Sequence, residues 1–246
     1  MFPVEALQEN APEKIFQAVD KFKCDMIING GKQITEISKL EEIPEQFDTS
    51  SVNAIFIAGS TITSKDEKSL RSFFPSIKAL INLYSMTEFG TLITISFSAD
   101  NLGFVSPSVE LKIVDPDSES ILGPNQVGEI YAKGILMTPG YLNRPEEDEK
   151  LFSADGFMKT GDLAHYDDQL ILHYDGRIKE LIIVNGRHVF PLEIENELIK
   201  HPDVAEAGVF GRLDEVFTVY TKLHIHPNEI HISCLEPHCA DKRGGG

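Results

Sequence analysis

The sequence predicts an α/β region, followed by a small β-barrel and then by a small α+β region. Helical and strand patterns alternate at first, as they do in α/β proteins. From about Leu102, short strands separated by Pro, Gly, Asn and Asp follow one another closely, which is typical of a barrel or a curled sheet. After Arg177 a hairpin signal precedes one helix and one further strand. We therefore expect domains over residues 1–98, 99–176 and 177–246.

The α/β region begins with a helix, because PEKIFQAVDKFK places Ile15, Val19 and Phe22 on one helical face. SVNAIFIAG has the pattern of a short buried strand that ends at Gly59. SKDEKSLRSFFPSIKALI is helical up to Pro75 and then continues as a strand. This alternation gives the region its α/β class.

A short polar insert, YSMTE from Tyr84 to Glu88, lies between two apolar runs. It ends in a hydroxyl and a carboxylate side by side, on Thr87 and Glu88. Two interpretations are open from these residues. The insert is either a plain turn between strands or a loop that binds a phosphate and a metal ion.

The two later regions are predicted from alternation and from turn residues. In VELKIV, apolar residues alternate with polar ones, so one face of the strand is buried. GEIYAKG and QLILHYDG are the neighbouring strands. Asn185-Gly186 between two β-rich runs is a strong hairpin signal. Pro191 then opens a helix, VAEAGVFG forms one more strand, and beyond Arg212 the pattern decays.

The composition excludes several classes of function. The net charge of −17 is spread along the chain, which argues against binding DNA or RNA. No apolar run reaches the roughly 20 residues of a membrane span, and the N-terminal residues lack a signal-peptide pattern. The three cysteines make no disulfide framework, so we expect a reducing, intracellular compartment. The C-terminal GGG is not a peroxisomal signal.

Charged residues in two later motifs are candidates for ligand binding. Asp162 follows Thr160 and Gly161, and an ionised carboxylate accepts hydrogen bonds from two neighbouring sugar hydroxyls. The same triplet also fits a turn before a strand. Arg177 and Lys179 alternate on a predicted strand, so their side chains share a face and can meet an anionic group. A solvated strand face is the alternative for this pair.

The order of the motifs is more specific than any one of them. NLYSMTE, GEIYAKG, Gly140-Tyr141, TGD, GRIKELIIVNG and FPLEIENELIKHPDVAEAGV follow one another between about Pro12 and Gly211. Together they resemble the adenylate-forming superfamily, in particular the insect luciferase-like acyl-CoA synthetases and the plant coumarate–CoA ligases. The resemblance implies the second half of a family chain: a partial luciferase-like large domain and a truncated small α+β C-terminal domain.

The resemblance also implies a role for each motif. Thr87 would contact the α-phosphate of the adenylate, and Glu88 would hold Mg²⁺ as a hard oxygen ligand. Asp162 would bind the ribose hydroxyls with Arg177 beside it, and Lys179 would reach the adenylate from the domain hinge. Thr87, Glu88 and Lys179 are thus the expected catalytic residues. The remaining expected contacts are Gly59, Ser60, Asn82, Tyr84 and Ser85 along the nucleotide and acyl pocket, and Gly186 beside CoA.

The reaction that the resemblance implies has two steps. A carboxylic acid, fatty or aryl, attacks the α-phosphorus of ATP and gives an acyl-adenylate and pyrophosphate. The thiol of CoA then displaces AMP. The implied partners are the acid, ATP and CoA, with Mg²⁺ as cofactor, and the family location is peroxisomal or cytoplasmic. An uncovered sheet edge in a partial large domain predicts self-association.

The sequence departs from the family pattern at both ends. We expect the family's phosphate loop upstream of Met1, and the closing Gly-Lys motif does not follow Gly211. Gly176 replaces a frequent hinge Asp, and Ile183 replaces a frequent Lys. We therefore expect impaired ligase activity. The alternative is a non-catalytic remnant that binds AMP, acyl ligands or a protein partner.

The C-terminal tail offers a zinc site as a further alternative. Six zinc-capable side chains lie close together in the sequence: His224, His226, His231, Cys234, His238 and Cys239. Their spacing matches no common zinc pattern. An atypical tail without a metal explains them better.

Overall fold

The computed structural model describes residues 11–40, 43, 46–59, 62–98, 101–184, 187–201, 204–212, 218–225 and 228–233. The contacts between residues divide the chain into two units. The first consists of Met1–Thr160 and His165–Tyr174, and the second of Gly161–Ala164 and Asp175–Gly246. The three domain boundaries expected from the sequence stay a prediction. None of the described helices is long and apolar enough to cross a bilayer.

The first unit contains a five-stranded mixed sheet. Its strands are β1 (Met26–Gly30), β2 (Ala54–Ala58), β3 (Ala79–Ser85), β4 (Leu92–Ser96) and β5 (Phe104–Val105). They lie in the order β1-β2-β3-β4-β5. The first three strands pair in parallel, and the last two add antiparallel. The predicted α/β alternation is confirmed for this part of the chain.

Helices connect the parallel strands, as parallel pairing requires. They are α1 (Ala11–Phe22), α2 (Gly31–Ser38) and α3 (Ser64–Phe73). A capping box starts α3: Thr63 Oγ1 accepts from the backbone N–H of Asp66 at 3.2 Å, and the Asp66 carboxylate accepts from Thr63 N at 2.8 Å. The hydroxyl of Ser38 at the end of α2 also donates to Asp66, which ties the two helices together.

The core of this sheet packs against one side of the helices. Ile55 and Ile57 on β2 and Phe16 on α1 are fully buried, and the Phe16 and Phe74 rings stack with centroids 5.9 Å apart. The predicted apolar face of α1 is wrong at one position. Phe22 is 65% exposed, because the buried stripe runs through Phe16 and Val19 instead.

A second sheet lies mostly in the first unit. Its strands are β6 (Val109–Val114), β7 (Gly128–Gly134), β8 (Met158–Tyr166) and β9 (Leu172–Arg177), and α4 (Pro145–Leu151) lies between β7 and β8 in the chain. The strand order is β6-β7-β8-β9, and β6 pairs antiparallel with β7. The described residues thus form a four-stranded sheet here, and they do not show the closed barrel that the sequence predicts. A small core backs it, formed by Phe89, Ile93, Ala132, Leu151 and Met158.

The second unit contains short antiparallel pairs and one helix. Its elements are β10 (Ile182–Val184), β11 (Arg187–Val189), α5 (Pro191–Ile199), β12 (Val204–Arg212), β13 (Thr218–Ile225) and β14 (Asn228–Ser233). β10 and β11 pair as the hairpin signal predicts, with Val184 opposite Arg187. The expected loss of pattern beyond Arg212 is wrong, because β13 and β14 extend β12 into a three-stranded sheet.

Candidate active site

The polar insert is the turn between two paired strands of the first sheet. β3 ends at Ser85, a 3₁₀ helix covers Thr87–Phe89, and Gly90 follows with a φ of 71° before β4. The Phe89 ring is fully buried, so it anchors the turn in the small core. The turn therefore holds Thr87 at the surface and Glu88 half-buried.

An open cleft of about 500 Å³ borders this turn. Its lining consists of Ser85, Met86, Thr87, Gly90, Thr91 and Leu92. The Ser85 hydroxyl donates to the Thr91 carbonyl across the mouth of the turn, which keeps the two strand ends together. The cleft is large enough for a small molecule of the size that protein pockets usually hold.

The Glu88 residue is held by the loop between β7 and α4. The Tyr141 hydroxyl donates to Glu88 Oε1 at 2.6 Å, and the Thr138 backbone N–H donates to the Glu88 carbonyl at 2.7 Å. The hydrogen bond to Glu88 raises the pKa of the Tyr141 hydroxyl above its ordinary value, because the carboxylate stabilises the protonated phenol. The sequence marks Gly140-Tyr141 as part of the motif order, but it does not indicate this contact.

Three further predicted residues lie on or beside the parallel strands. Asn82 is buried at 3% exposure on β3 and donates to the Asn101 carbonyl at 3.5 Å. Tyr84 lies further along β3, opposite Thr94. Gly59 follows β2 with a φ of 79°. Because parallel neighbours end at the same edge of a sheet, Gly59 and Tyr84 share the carboxyl edge that carries the cleft.

Asp162 and Arg177 form a pair in the second unit. Asp162 is 4% exposed, and Arg177 Nε lies 2.9 Å from Asp162 Oδ1. The guanidinium side chain is about half exposed, so the buried carboxylate is compensated by a cation that faces water. The ion pair fixes the direction of the Asp162 carboxylate, and its role in binding ribose stays a prediction.

Lys179 is not on a strand with Arg177, so this sequence prediction is wrong. β9 ends at Arg177, and Lys179 lies in a 3₁₀ helix over Ile178–Glu180 with its side chain exposed. The two cations therefore do not alternate on one strand face. Thr87 and Glu88 belong to the first unit, whereas Asp162, Arg177 and Lys179 belong to the second.

Two predicted contacts lie outside the described residues. They are Ser60 of the nucleotide pocket and Gly186 of the CoA site. The zinc alternative also lies outside the described part of the chain. Its residues His226, Cys234, His238 and Cys239 are not described, and neither are the side chains of His224 and His231. Among the residues whose side chains are described, no group of three or more His, Cys, Asp or Glu is placed to hold a metal.

The donor set at the cleft nevertheless fits Mg²⁺ bound together with a nucleotide. Mg²⁺ is usually held through one or two carboxylates plus substrate phosphates, and not by an all-protein cage. Thr87 supplies a hydroxyl in the lining of the cleft, and Glu88, the next residue of the same turn, supplies one hard carboxylate. A single acidic residue is therefore sufficient for such a site.

Comparison with known proteins gives a consistent set of similarities. The family model described as AMP-binding enzyme matches residues 2–142. A luciferin 4-monooxygenase of Nipponoluciola cruciata is 29% identical over 219 residues, which is 87% of this chain and 40% of that protein. A 4-coumarate–CoA ligase 1 of Glycine max is 36% identical over 191 residues, 74% of this chain and 64% of that protein.

Solved structures resemble the chain over most of its length. An anthranilate CoA ligase in complex with anthranoyl-AMP has a TM-score of 0.79 and 21% identity, covering 94% of this chain and 44% of its own. An O-succinylbenzoate coenzyme A synthetase from Bacillus subtilis, in complex with ATP and magnesium ion, has a TM-score of 0.70 and 26% identity. That match covers 87% of this chain and 44% of the synthetase. The chain thus spans less than half the length of either solved structure.

Proposed function

The chain belongs to the AMP-binding enzyme family, and on this basis we propose that it is an acid–CoA ligase of the adenylate-forming type. Over its described part it has the adenylate-forming enzyme fold with mixed α/β sheets. The proposed reaction joins a carboxylic acid, fatty or aryl, to CoA through an acyl-adenylate made from ATP. We also propose, as part of the same function, that residues 99–176 form a small barrel and that residues 177–246 form a truncated, mobile C-terminal domain.

One observation carries the proposal: Thr87 and Glu88 lie side by side on an anchored turn, and Thr87 lines the cleft that borders this turn. A hydroxyl donor and a carboxylate in this position suit an α-phosphate and the cation that accompanies it. The buried Asp162 carboxylate, oriented by Arg177 at 2.9 Å, supplies the acceptor for ribose hydroxyls. The first unit thus offers groups that suit a phosphate and its cation, and the second unit offers an acceptor that suits a sugar.

Each proposed site residue has a binding or orienting role in the reaction. Asp162 accepts hydrogen bonds from the ribose and fixes the nucleotide, while Arg177 fixes Asp162. Thr87 donates to the α-phosphate, where negative charge develops when the acid attacks. Lys179 is exposed, and by resemblance to the family it would reach the adenylate. Glu88 would hold Mg²⁺, which when bound neutralises phosphate charge.

The finer parts of the proposal rest on the resemblance. We propose that residues 1–246 bind nucleotide weakly and catalyse adenylation poorly, as the departures of the sequence from the family pattern imply. We also propose that Ser60 contacts the nucleotide and Gly186 contacts CoA. The proposed location is peroxisomal or cytoplasmic, and the edge of the first sheet is proposed to mediate self-association. A non-catalytic nucleotide-binding chain is the alternative function.

The first test is AMP binding by the purified chain, measured by isothermal titration calorimetry. Asp162→Asn keeps the side-chain shape but removes the charge that accepts ribose hydroxyls, so we expect AMP affinity to fall about tenfold or more. Asp155→Asn is the matched control, because Asp155 is an exposed aspartate that binds Lys112 in the first unit. Equal AMP affinity for wild type and Asp162→Asn would remove the ribose assignment.

A second measurement separates the two functions. Pyrophosphate release is followed with ATP and a panel of fatty and aryl acids, with a full-length family ligase as the positive control. Weak, acid-dependent release that Glu88→Ala abolishes would support the ligase. AMP binding without any release would identify the non-catalytic alternative. Robust release would show that the weak-adenylation part of the proposal is wrong.

A further inference from the structure

The segment from Thr138 to Tyr141 encloses the Glu88 residue at both its backbone and its side chain. Thr138 N donates to the Glu88 carbonyl at 2.7 Å, and the Tyr141 hydroxyl donates to Glu88 Oε1 at 2.6 Å. Within the segment, the Thr138 hydroxyl donates to the Gly140 carbonyl at 3.0 Å, so the two contacts come from one closed loop. The loop between β7 and α4 thereby determines where the Glu88 carboxylate lies.

Tyr141 is itself anchored by the helix that follows. Its backbone N–H donates to Asp148 Oδ1 at 2.7 Å, and Asp148 lies in α4. A β-carbon at Gly140 would lie 2.5 Å from the Asp148 carboxylate, so a larger residue there would displace the Asp148 side chain. A continuous chain of contacts therefore runs from Asp148 through Tyr141 to Glu88.

We propose that Tyr141 is a positioning residue that fixes the Glu88 carboxylate for divalent-cation binding. This inference rests on the proposed function, which assigns Mg²⁺ to Glu88. A carboxylate has two oxygens, and a cation needs only one of them. The Tyr141 hydroxyl occupies the other at a distance typical of a strong, charge-assisted hydrogen bond. It limits rotation of the carboxylate and adds no positive charge beside it, whereas a cationic partner would compete with the metal.

The expected loss of Mg²⁺ affinity follows from how hydrogen-bond partners support a metal-binding carboxylate. Partners that hydrogen-bond a metal-ligating carboxylate orient it, and removal of one typically costs about 10-fold to 100-fold in metal affinity. Tyr141 is 41% exposed, so replacing it by phenylalanine removes the hydroxyl without leaving a buried polar group behind. We therefore expect a loss near the lower end of this range.

The test measures ATP affinity by calorimetry at several Mg²⁺ concentrations, using the whole 246-residue chain. At the proposed site, Mg²⁺ increases the affinity for ATP. For Tyr141→Phe, we expect the Mg²⁺ concentration that gives half of this increase to rise about tenfold. AMP affinity without Mg²⁺ should stay within about twofold of wild type, because the ribose contacts are intact. A purely structural role for Tyr141 would lower the melting temperature but would not change the Mg²⁺ dependence.

Tyr166→Phe is the matched control, since the Tyr166 hydroxyl donates at 3.2 Å to the Leu122 carbonyl and not to Glu88. Asp148→Ala is a second, independent variant. It should shift the Mg²⁺ dependence in the same direction as Tyr141→Phe. The double variant should shift it by less than the product of the two, because both act through one chain of contacts.

The outcomes separate this inference from the function on which it rests. If Glu88→Gln loses the Mg²⁺ dependence while Tyr141→Phe matches wild type, the positioning role is wrong and the proposed function stands. If Glu88→Gln also matches wild type, the metal assignment fails, and the inference fails with it. A wild-type chain that binds neither AMP nor ATP overturns both.

Discussion

At the scale of single residues, the active-site turn depends on a glycine that no other residue can replace without cost. Gly90 has a φ of 71°, and a β-carbon there would lie 2.4 Å from the Leu136 carbonyl oxygen. Two penalties therefore add at this position. One is the left-handed backbone conformation, and the other is a collision with backbone atoms that cannot move aside.

Gly90→Ala should lower the free energy of unfolding by about 3 kcal/mol, since each penalty is worth roughly 1–2 kcal/mol. Gly59→Ala is the matched control, because Gly59 has a φ of 79° and no atom of the described residues lies within 4 Å of the added carbon. It should cost only about 1 kcal/mol. Chemical denaturation measures both values. Equal losses would show that the Leu136 contact relaxes freely.

The sequence indicates which site residues matter better than it indicates how they are held. Thr87, Glu88 and Asp162 are recognisable as candidates because their hydroxyl and carboxylate groups stand out from apolar surroundings, in a turn for the first two and within β8 for Asp162. The Tyr141–Glu88 hydrogen bond joins residues 53 positions apart, and no local pattern encodes a contact at that distance. Arg177 and Lys179 were misjudged because a 3₁₀ helix interrupts the alternation that a strand would continue.

At the scale of elements, strand β6 is tied to the turn before β8 by one ion pair. Lys112 Nζ lies 2.6 Å from Asp155 Oδ2 and 4.4 Å from the centre of the Phe157 ring. The Lys112 ammonium, with help from the Ser153 hydroxyl, lowers the pKa of Asp155 to about 2. Because the lowered pKa belongs to the folded state, the pair stabilises the fold above the ordinary pKa of aspartate.

Stability should consequently fall as the pH drops from about 4 to about 2, where Asp155 takes up its proton. Lys112→Met should return the pKa of Asp155 towards its ordinary value and remove that part of the pH dependence. Unfolding curves at successive pH values, with carboxyl NMR shifts for Asp155, measure both effects. Lys150→Met, which breaks an exposed pair with Glu147, serves as the control. An unchanged Asp155 titration in Lys112→Met would contradict the assignment.

Most elements could be predicted from periodicity, and the misses have identifiable causes. Helices α1, α3 and α5 and strands β2, β3, β6 and β7 follow patterns of period 3.6 or 2. β13 was missed although TVYTKLHI carries a regular alternation, with Val219, Leu223 and Ile225 at every second or fourth position. Lys222 and His224 within the strand obscured this alternation. Closure of a barrel was not predictable, because alternation specifies strands but not whether the first and last of them pair.

At the scale of the whole molecule, the described part of the first sheet has an apolar edge. β1 is the first strand in the sheet order, and Met26 and Ile28 on it are 46% and 68% exposed. Unpaired edges with exposed apolar side chains favour association between copies. The net charge of −17 opposes this association by repulsion, which salt screens.

We therefore expect the chain to self-associate increasingly with protein concentration and with added salt. Ile28→Lys should reduce association, because it places a charge on the edge strand. Lys is also tolerated there, since Ile28 is mostly exposed. Sedimentation velocity at low and high salt provides the measurement. A single monomeric species for wild type under all these conditions would rule out the apolar edge as an association site.

Strand β8 passes from the first unit to the second at Thr160, and β9 does so after Tyr174, so the second unit is discontinuous in the chain. Exchange of that unit between related genes would need crossovers on both sides of Gly161–Ala164 as well as one near Asp175. A single crossover near Asp175 would inherit Arg177 from one parent and Asp162 from the other. Since these two side chains bind each other at 2.9 Å, recombinants of that kind would survive only where both parents carry a compatible pair.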